Sequence, residues 1–200
     1  MYCILVTGIP ASGKSTMANY LSEQLSIPML SKDKIKELMF DDIGFQSREE
    51  KVKLGIASMN IMYYVAEQIM KTQGAFILEN NFENISREKL EKLLDKYSYK
   101  AITITLTGDY EKIYQRFLER NVSPERHRGH VVNDCYPEKE ETKVTKVIPY
   151  ESFVAGITNR GMDQFKVNGP QIVVDTTDFE QVDMKKILEE IKRYMLSSEQ

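Results

Sequence analysis

The chain has 200 residues, of which 42% are hydrophobic and 28% are charged, and its formal net charge at pH 7 is −3. This length allows one domain with a small insertion and excludes two full catalytic units. The slightly negative charge gives no overall attraction to nucleic acid or to an anionic membrane, so any recognition of phosphate must be local.

The two cysteines, Cys3 and Cys135, have neither the spacing of zinc ligands nor that of a disulfide framework. A reducing compartment fits this composition best. The first residues hold an apolar run of only about five residues and no basic leader, which predicts a strand and not a signal peptide or a membrane span. We therefore expect a cytoplasmic protein with no membrane partner, and the sequence leaves its oligomeric state open.

Apolar runs and helical stretches alternate along the chain. A buried strand is predicted over residues 2–7, followed by a Gly-rich turn and a helix from Lys14 to about Leu25. Further strands are predicted at 28–31, 75–79, 101–106 and 171–175, and further helices at 33–40, 48–72, from 86, at 109–119 and at 183–196. This alternation predicts an α/β protein with a parallel sheet covered by helices on both faces.

Residues 121–168 break the alternation. They contain Pro124, Pro137 and Pro149, both histidines, and a charged stretch with weak periodicity. Irregular sequence of this length in a compact domain is usually functional or mobile. We therefore expect a single domain over residues 1–200 with a lid and an irregular insertion at about 121–168.

The segment from Gly8 to Ser15 matches the pattern G-x-x-x-x-G-K-[ST] between a predicted strand and a predicted helix, which is the context that supports a phosphate-binding loop. Glycine lets the backbone turn its N–H groups around a phosphate chain, and the helix N-terminus adds a partial positive charge. Lys14 is expected to reach the β- and γ-phosphates, and the Ser15 hydroxyl to ligate Mg²⁺. The predicted nucleotide-binding residues are Gly8, Pro10, Ala11, Ser12, Gly13, Lys14, Ser15 and Thr16.

Polar residues follow the second and third predicted strands, and the carboxyl ends of parallel strands line the ligand crevice. Asp33 is a candidate general base for an acceptor hydroxyl, or a plain helix N-cap, and one residue can do both. Glu79 could hold a water bound to Mg²⁺, and Asn80 and Asn81 could bind polar groups of a substrate. Turn formation is the alternative for these three residues.

Arginines concentrate between residues 116 and 130, where four of them stand against two glutamates and give a local charge of +2. An arginine fork can stack on a base and bridge phosphate oxygens, whereas the alternative is a solvated helix end. The four arginines are Arg116, Arg120, Arg126 and Arg128. His127 and His130 have no cysteine or carboxylate at metal spacing, so we expect loop or substrate contacts and no zinc site.

Four of these stretches, GIPASGKST, SKDKIK, ENNF and RFLERNVSPERHRGH, together resemble the P-loop kinases of the group that contains polynucleotide 5′-hydroxyl kinase, zeta toxins and chloramphenicol phosphotransferase. The resemblance covers about residues 1–130. It implies a three-layer P-loop NTPase fold with a five-stranded parallel sheet in the order 2-3-1-4-5 and an arginine-rich lid.

The resemblance also implies roles for single residues. It implies Lys14 and Ser15 on phosphate and Mg²⁺, Asp33 as general base, and Lys36 as a candidate substrate contact. It further implies that Arg116 stacks on adenine and that Arg120, with Arg126 or Arg128, closes on the transferring phosphoryl group. Lys36 is a weaker bidentate partner than arginine, and residues 134–171 match no part of this group.

The leading hypothesis is an ATP-dependent kinase that acts on a hydroxyl group of a small molecule or nucleotide, with ATP and Mg²⁺ as cofactors. A polynucleotide 5′-hydroxyl kinase is an alternative that the acidic charge balance and the lack of a basic stripe disfavour. An ATP-binding or ATP-hydrolysing regulatory protein is the other alternative. The sequence leaves the acceptor open, since its pocket would draw on Asn80, Asn81, the long helix and the segment that matches nothing.

Overall fold

The computed structural model describes residues 1–138 and 147–196. Its five strands form one parallel sheet in the order β2-β3-β1-β4-β5. The strands are β1 (Tyr2–Gly8), β2 (Met29–Ser31), β3 (Phe76–Glu79), β4 (Lys100–Thr107) and β5 (Gln171–Asp175). The predicted α/β class, the parallel sheet and the strand order 2-3-1-4-5 are confirmed.

Helices cover both faces of this sheet. Within the described residues they are α1 (Lys14–Leu25), α2 (Lys32–Ile43), α3 (Arg48–Lys71), α4 (Arg87–Lys96), α5 (Tyr110–Val122), α6 (Arg128–Val131), α7 (Tyr150–Thr158) and α8 (Met184–Leu196). No helix within the described ranges is long and apolar enough to cross a membrane.

The central strand β1 is buried on both faces, which explains its continuous apolar run. Cys3 and Leu5 face a layer formed by α3 and α4, and Ile4 and Val6 face a layer formed by α1 and α8. All four side chains are fully buried. The sheet is therefore held between two apolar layers, and its carboxyl edge is the place where loops can form a site.

The segment 121–168 contains more regular structure than the sequence predicts. The helix α7 follows Pro149 and buries Phe153 and Ile157 in a small cluster with Ile9 and Ile113. The expectation of an irregular insertion is therefore wrong over α7. A helix of nine residues gives too short a periodic signal to stand out between proline-rich flanks. The charged stretch at 139–146 lies outside the described residues.

Candidate active site

The loop between β1 and α1 has the backbone that its glycines predict. Gly8 and Gly13 have φ angles of +133° and +87°. A Cβ atom on Gly8 would lie 2.0 Å from the carbonyl oxygen of Leu106, and one on Gly13 would lie 2.2 Å from the ring of Phe179. Space and backbone conformation therefore both favour glycine at these two positions.

Two polar side chains of this loop are poorly satisfied by the chain itself. The Ser12 hydroxyl is buried and has no hydrogen-bond partner among the described residues. The Lys14 ammonium, in a residue only 7% exposed, donates to the carbonyl oxygen of Ile9 at 2.7 Å. Burial lowers the pKa of Lys14 to about 8, although the nearby Glu79 carboxylate opposes this shift. A bound phosphate chain would supply both a partner for the hydroxyl and a counter-charge for the lysine.

Glu79 ends β3 and connects the loop to the neighbouring strand. Its carboxylate accepts hydrogen bonds from the Ser15 hydroxyl at 3.3 Å and from the Ser31 hydroxyl at 2.5 Å. Burial raises the pKa of Glu79, while the charge of Lys14 and the bond from Ser31 act in the opposite direction. The carboxylate and the Ser15 hydroxyl are hard oxygen donors of the kind that Mg²⁺ prefers.

The part of the chain that the structure describes holds no metal site made by the protein alone. The described residues contain no group of three or more histidine, cysteine, aspartate or glutamate side chains that could hold a metal ion. Magnesium beside phosphate needs no such cage, because it takes one or two protein ligands and completes its shell with water and phosphate oxygens. Ser15 and Glu79 therefore fit magnesium in the presence of a nucleotide.

Asp33 lies in the first turn of α2 and is not the N-cap of this helix. Ser31 is the cap, and its hydroxyl accepts from the backbone N–H of Lys34 at 3.4 Å. The interpretation of Asp33 as a plain cap is therefore wrong, and no hydrogen bond within the described residues engages its carboxylate. Burial raises the pKa of Asp33, but the positive charges of His130, Lys32 and neighbouring basic groups outweigh burial and lower it overall. Asp33 is therefore ionised at neutral pH.

The loop, Asp33 and Glu79 face one cavity of about 640 Å³, here named the nucleotide cavity. The residues singled out from the sequence that line it are Pro10, Ala11, Gly13, Lys14, Ser15, Thr16, Asp33, Glu79, Asn81, Arg116, Arg120 and Arg126. Gly8 and Ser12 shape the loop behind this surface. Its size is that of a small-molecule site.

Arg120 and Arg126 place two cationic groups in this cavity. The Nε atom of each is buried without a hydrogen-bond partner in the described part of the chain. Burial lowers the pKa of both guanidinium groups, that of Arg120 to about 10, and for Arg120 the charge of Arg126 adds to this effect. Two buried like charges with unused donors are unfavourable alone and suit a polyanion.

The other two arginines are engaged differently. Arg116 lines the nucleotide cavity and donates to the carbonyl oxygen of Thr176. Arg128 forms a bidentate ion pair with Glu138, in which Nε donates to Oε2 at 2.7 Å and Nη2 donates to Oε1 at 2.6 Å. Arg128 does not line the cavity. The structure therefore brings Arg126, and not Arg128, together with Arg120.

Two histidine–carboxylate pairs fasten α6 to α2, and the sequence analysis did not predict them. His127 Nε2 lies 3.0 Å from Asp41 Oδ1, and its Nδ1 accepts from the backbone N–H of Gly129, which places the proton on Nε2. His130 Nε2 lies 3.1 Å from Glu37 Oε1. Glu37 and Asp41 are four residues apart on one helix, so the shared face was the available signal. These pairs position the segment that carries Arg126.

Lys51 of α3 is a second residue that the sequence analysis missed. It is only 4% exposed, and its ammonium donates to the carbonyl oxygens of His130, at 3.1 Å, and of Val132, and to Asn133 Oδ1 at 3.2 Å. Burial lowers the pKa of Lys51 to about 7. This lysine holds the chain after α6 against α3.

A second cavity of about 410 Å³ lies beside the first, and Asn81 lines both. We name it the acceptor-side cavity. Its walls come from α2, α3 and the chain that follows β3, and they include Lys36 and Asn80. Two of the residues singled out as substrate contacts thus face a space next to the nucleotide cavity and not the nucleotide cavity itself.

The sheet order and the phosphate-binding loop together define a P-loop NTPase fold. The chain belongs to the family described as "AAA domain", whose model matches residues 4–146. Membership of the particular kinase group that the sequence resembles stays a prediction.

Similar proteins carry kinase names. A solved structure described as a "putative kinase" from Chloroflexus aurantiacus J-10-fl has a TM-score of 0.78 and 27% identity, covering 98% of this chain and 96% of that one. A shikimate kinase from Bacteroides thetaiotaomicron shares the fold with a TM-score of 0.55 and 10% identity, over 97% and 98% of the two chains. The Plasmodium falciparum (isolate 3D7) protein named adenylate kinase isoenzyme 6 homolog is 20% identical over 176 residues, which are 82% of this chain and 90% of that protein. The neighbours therefore support a kinase-like P-loop protein.

Proposed function

We propose that this chain is an ATP-dependent kinase that transfers the γ-phosphoryl group of ATP to a hydroxyl group of a small molecule or nucleotide. One observation carries this proposal: a single cavity joins the phosphate-binding loop, an ionised Asp33, and two arginines with buried unused donors. The kinase names of similar proteins support it. We place the activity in a single domain over residues 1–200, acting in the cytoplasm.

The loop residues bind and orient the triphosphate. The Ser12 hydroxyl and the Lys14 ammonium would leave their present surroundings for phosphate oxygens, and Arg116 would lie beside the base. Ser15 and Glu79 would hold Mg²⁺, Glu79 through a bound water. The bound ion would supply positive charge that offsets the negative charge of the phosphates.

Asp33 and the arginines act on the transfer itself. The acceptor oxygen forms a bond to the γ-phosphorus while the bond from that phosphorus to the bridging oxygen breaks, and ADP leaves. The proton of the acceptor hydroxyl passes to the carboxylate of Asp33. Because the pKa of Asp33 is lowered, the carboxylate first orients the hydroxyl and takes the proton late in the transfer. Arg120 and Arg126 stabilise the charge on the transferring group.

The Asp33→Asn variant tests this role. We expect the transfer of labelled γ-phosphate to an acceptor panel to fall at least about 100-fold, the usual contribution of a general base. ATP affinity, measured by calorimetry, should be unchanged or tighter, because a negative charge is lost beside the phosphates. Asp42→Asn is the matched control, since Asp42 is exposed on the same helix.

The same assay separates the alternatives. If the wild-type protein passes labelled phosphate only to water across the panel, the kinase proposal is wrong and a regulatory ATPase is favoured. A polynucleotide kinase would bind single-stranded DNA with a steep negative dependence on salt concentration. We expect a shallow one, because the chain carries a net charge of −3.

A further inference from the structure

The acceptor-side cavity is strongly positive within a chain of net charge −3. Five basic side chains line it: Lys32, Lys36, Arg48, Lys51 and Lys89. The carboxylate among its lining residues, Glu83, is already paired with Arg160 at 3.0 Å. Among the described residues, none of the five basic groups forms an ion pair with an aspartate or glutamate.

Neutral oxygens satisfy three of the five basic groups. Lys51 donates to carbonyl oxygens and Asn133, Arg48 donates to Asn133 Oδ1 at 3.0 Å, and Lys89 donates to Asn60 Oδ1 at 2.7 Å. The positive charges of Arg48 and Lys89 therefore have no acidic partner within the described chain, whereas Lys51, whose pKa burial lowers to about 7, is only partly charged at neutral pH.

Lys36 differs from these three groups. Its ammonium has no hydrogen-bond partner among the described residues and lies 5.1 Å from the ring centre of Phe40. Burial, with the charge of Lys32, lowers the pKa of Lys36 to about 8, although the Asp33 carboxylate opposes this shift. An anion in the cavity would be a direct partner for this ammonium.

Tyr63 gives an independent sign of a ligand. The residue is 5% exposed and lines the cavity, and its hydroxyl is buried without a hydrogen-bond partner in the described part of the chain. Burial raises the pKa of this hydroxyl, so it is a neutral donor. A buried hydroxyl without a partner is costly, and a ligand oxygen would satisfy it.

The position of Lys36 relative to Asp33 limits the size of such a ligand. The two residues are three apart on α2, so their backbones are separated by about one helical turn, roughly 5 Å. Asp33 lines the nucleotide cavity and Lys36 lines the acceptor-side cavity, while Asn81 borders both. A small molecule can therefore present a hydroxyl to Asp33 and an anionic group to Lys36. The exposed side chains of Val52 and Ile56 give the cavity an apolar wall for its carbon skeleton.

We propose that the acceptor is a small hydroxylated anion, a phosphate monoester or a carboxylate, whose anionic group binds Lys36 in the acceptor-side cavity, which Arg48 and Tyr63 also line. This inference rests on the proposed kinase function. It makes Lys36 a specificity-determining residue and not a participant in the bond changes.

The test measures anion binding without knowledge of the natural acceptor. The nucleotide cavity is first saturated with Mg²⁺ and a non-hydrolysable ATP analogue, so that anions cannot occupy the phosphate-binding loop. Phenyl phosphate, benzoate and benzyl alcohol are then titrated by calorimetry into the wild-type protein. We expect at least one anion to bind at least about tenfold more tightly than the neutral alcohol, as a charge-assisted hydrogen bond requires. Binding of phenyl phosphate alone indicates a phosphate monoester, and binding of benzoate alone indicates a carboxylate.

Matched variants locate the effect. Lys36→Gln should weaken binding of the anion about tenfold or more, whereas Lys53→Gln, at an exposed position of α3 outside the cavity, should change it less than about twofold. Thermal unfolding of both variants checks that they are folded, and Arg48→Gln is a second variant that should weaken the anion if Lys36→Gln does not fold. Equal binding of the neutral alcohol, wild-type affinity in Lys36→Gln, or no binding of any probe would each overturn the inference.

Failure of this inference is distinguishable from failure of the kinase proposal. Transfer of labelled phosphate to neutral acceptors, with no preference for anions, refutes the anionic acceptor and leaves the kinase intact. Binding of phenyl phosphate or benzoate through Lys36, with no transfer of phosphate to any acceptor, anionic or neutral, refutes the kinase and leaves an anion-binding cavity. An oligonucleotide phosphorylated far better than all small anions would overturn the assignment of a small acceptor.

Discussion

The nucleotide cavity and the acceptor-side cavity are built in different ways. The first is organised by eight consecutive residues, from Gly8 to Ser15, whose backbone conformation follows from local sequence. The second collects basic side chains from α2, α3 and α4, and these residues meet only in the folded chain. Within the described residues, both contain a buried polar atom without a hydrogen-bond partner, Arg126 Nε in the first and the Tyr63 hydroxyl in the second. The comparison indicates that phosphate handling is encoded locally, whereas the choice of acceptor depends on contacts between distant elements.

The assignment of the nucleotide cavity is tested most strongly by comparing Arg126, which lines the cavity, with Arg128, which does not. Arg126→Ala should lower kcat about 1,000-fold, the lower range for an arginine that stabilises a transferring phosphoryl group. Arg128→Ala should lower kcat less than about tenfold, because Arg128 pairs with Glu138 outside the cavity. Steady-state kinetics with an acceptor from the panel measures both.

The unfolding free energies of Arg126→Ala and Arg128→Ala provide a control for the kinetic comparison. The side chain of Glu138 is 6% exposed, so Arg128→Ala leaves a largely buried carboxylate without this partner and should cost about 1–3 kcal/mol of unfolding free energy. Arg126→Ala removes a guanidinium group whose buried Nε has no hydrogen-bond partner in the described chain, so it should lower the unfolding free energy less than Arg128→Ala does. Equal losses of kcat in both variants would mean that Arg128 also reaches the phosphates during catalysis.

The extent to which sequence alone could predict this site follows the same division. The loop, the parallel sheet and the position of Asp33 after the second strand were accessible, because a contiguous motif and alternating apolar runs report local structure. The strand order came only from the resemblance to P-loop kinases. The pairing of His127 with Asp41 joins residues 86 positions apart, and no periodicity records it. Lys51 was hidden for the same reason, since its carbonyl partners lie 79 and 81 residues away. The cap of α2 shows a further limit, because Ser31 and Asp33 are both good capping residues and only the backbone decides between them.

The pH dependence of ATP affinity tests the lowered pKa of Lys14 in the phosphate-binding loop. The pKa of Lys14 is about 8 in the protein without nucleotide, so this lysine is charged below pH 8 and loses its charge above it. A phosphate chain binds the charged form, and the Kd for ATP should therefore rise by up to about tenfold per pH unit above pH 8. Calorimetry at constant Mg²⁺ from pH 7 to pH 9 would measure this trend.

Lys14→Arg is the control for that titration. Arginine keeps its charge throughout this range, so the variant should bind ATP with a weaker but nearly constant affinity between pH 8 and pH 9. The comparison is made below pH 9 because Arg120, which also acts on Lys14, has a pKa that burial lowers to about 10. A wild-type Kd that stays constant across pH 8 would contradict the lowered pKa.

In the acceptor-side cavity we expect only a small change in unfolding free energy, which is measured by comparing the buried residues Tyr63 and Tyr99. The Tyr99 hydroxyl donates to the carbonyl oxygen of Gly74 at 2.8 Å, whereas the Tyr63 hydroxyl has no partner in the described chain. Tyr99→Phe should therefore lower the unfolding free energy by about 1 kcal/mol, and Tyr63→Phe should change it by less than about 0.5 kcal/mol. Urea denaturation of the protein without ligands measures both.

In the presence of a ligand, Tyr63→Phe should have the larger effect of the two variants, and this effect is on ligand affinity. With phenyl phosphate or benzoate bound, Tyr63→Phe loses a hydrogen bond to the ligand and should bind it several-fold more weakly, while Tyr99→Phe should bind it as the wild type does. A Tyr63→Phe variant that is destabilised as much as Tyr99→Phe in the absence of ligand would mean that its hydroxyl is satisfied within the protein. The Tyr63 hydroxyl would then no longer be evidence for a ligand, and the case for the anionic acceptor would rest on the excess of basic side chains that line the cavity with Lys36.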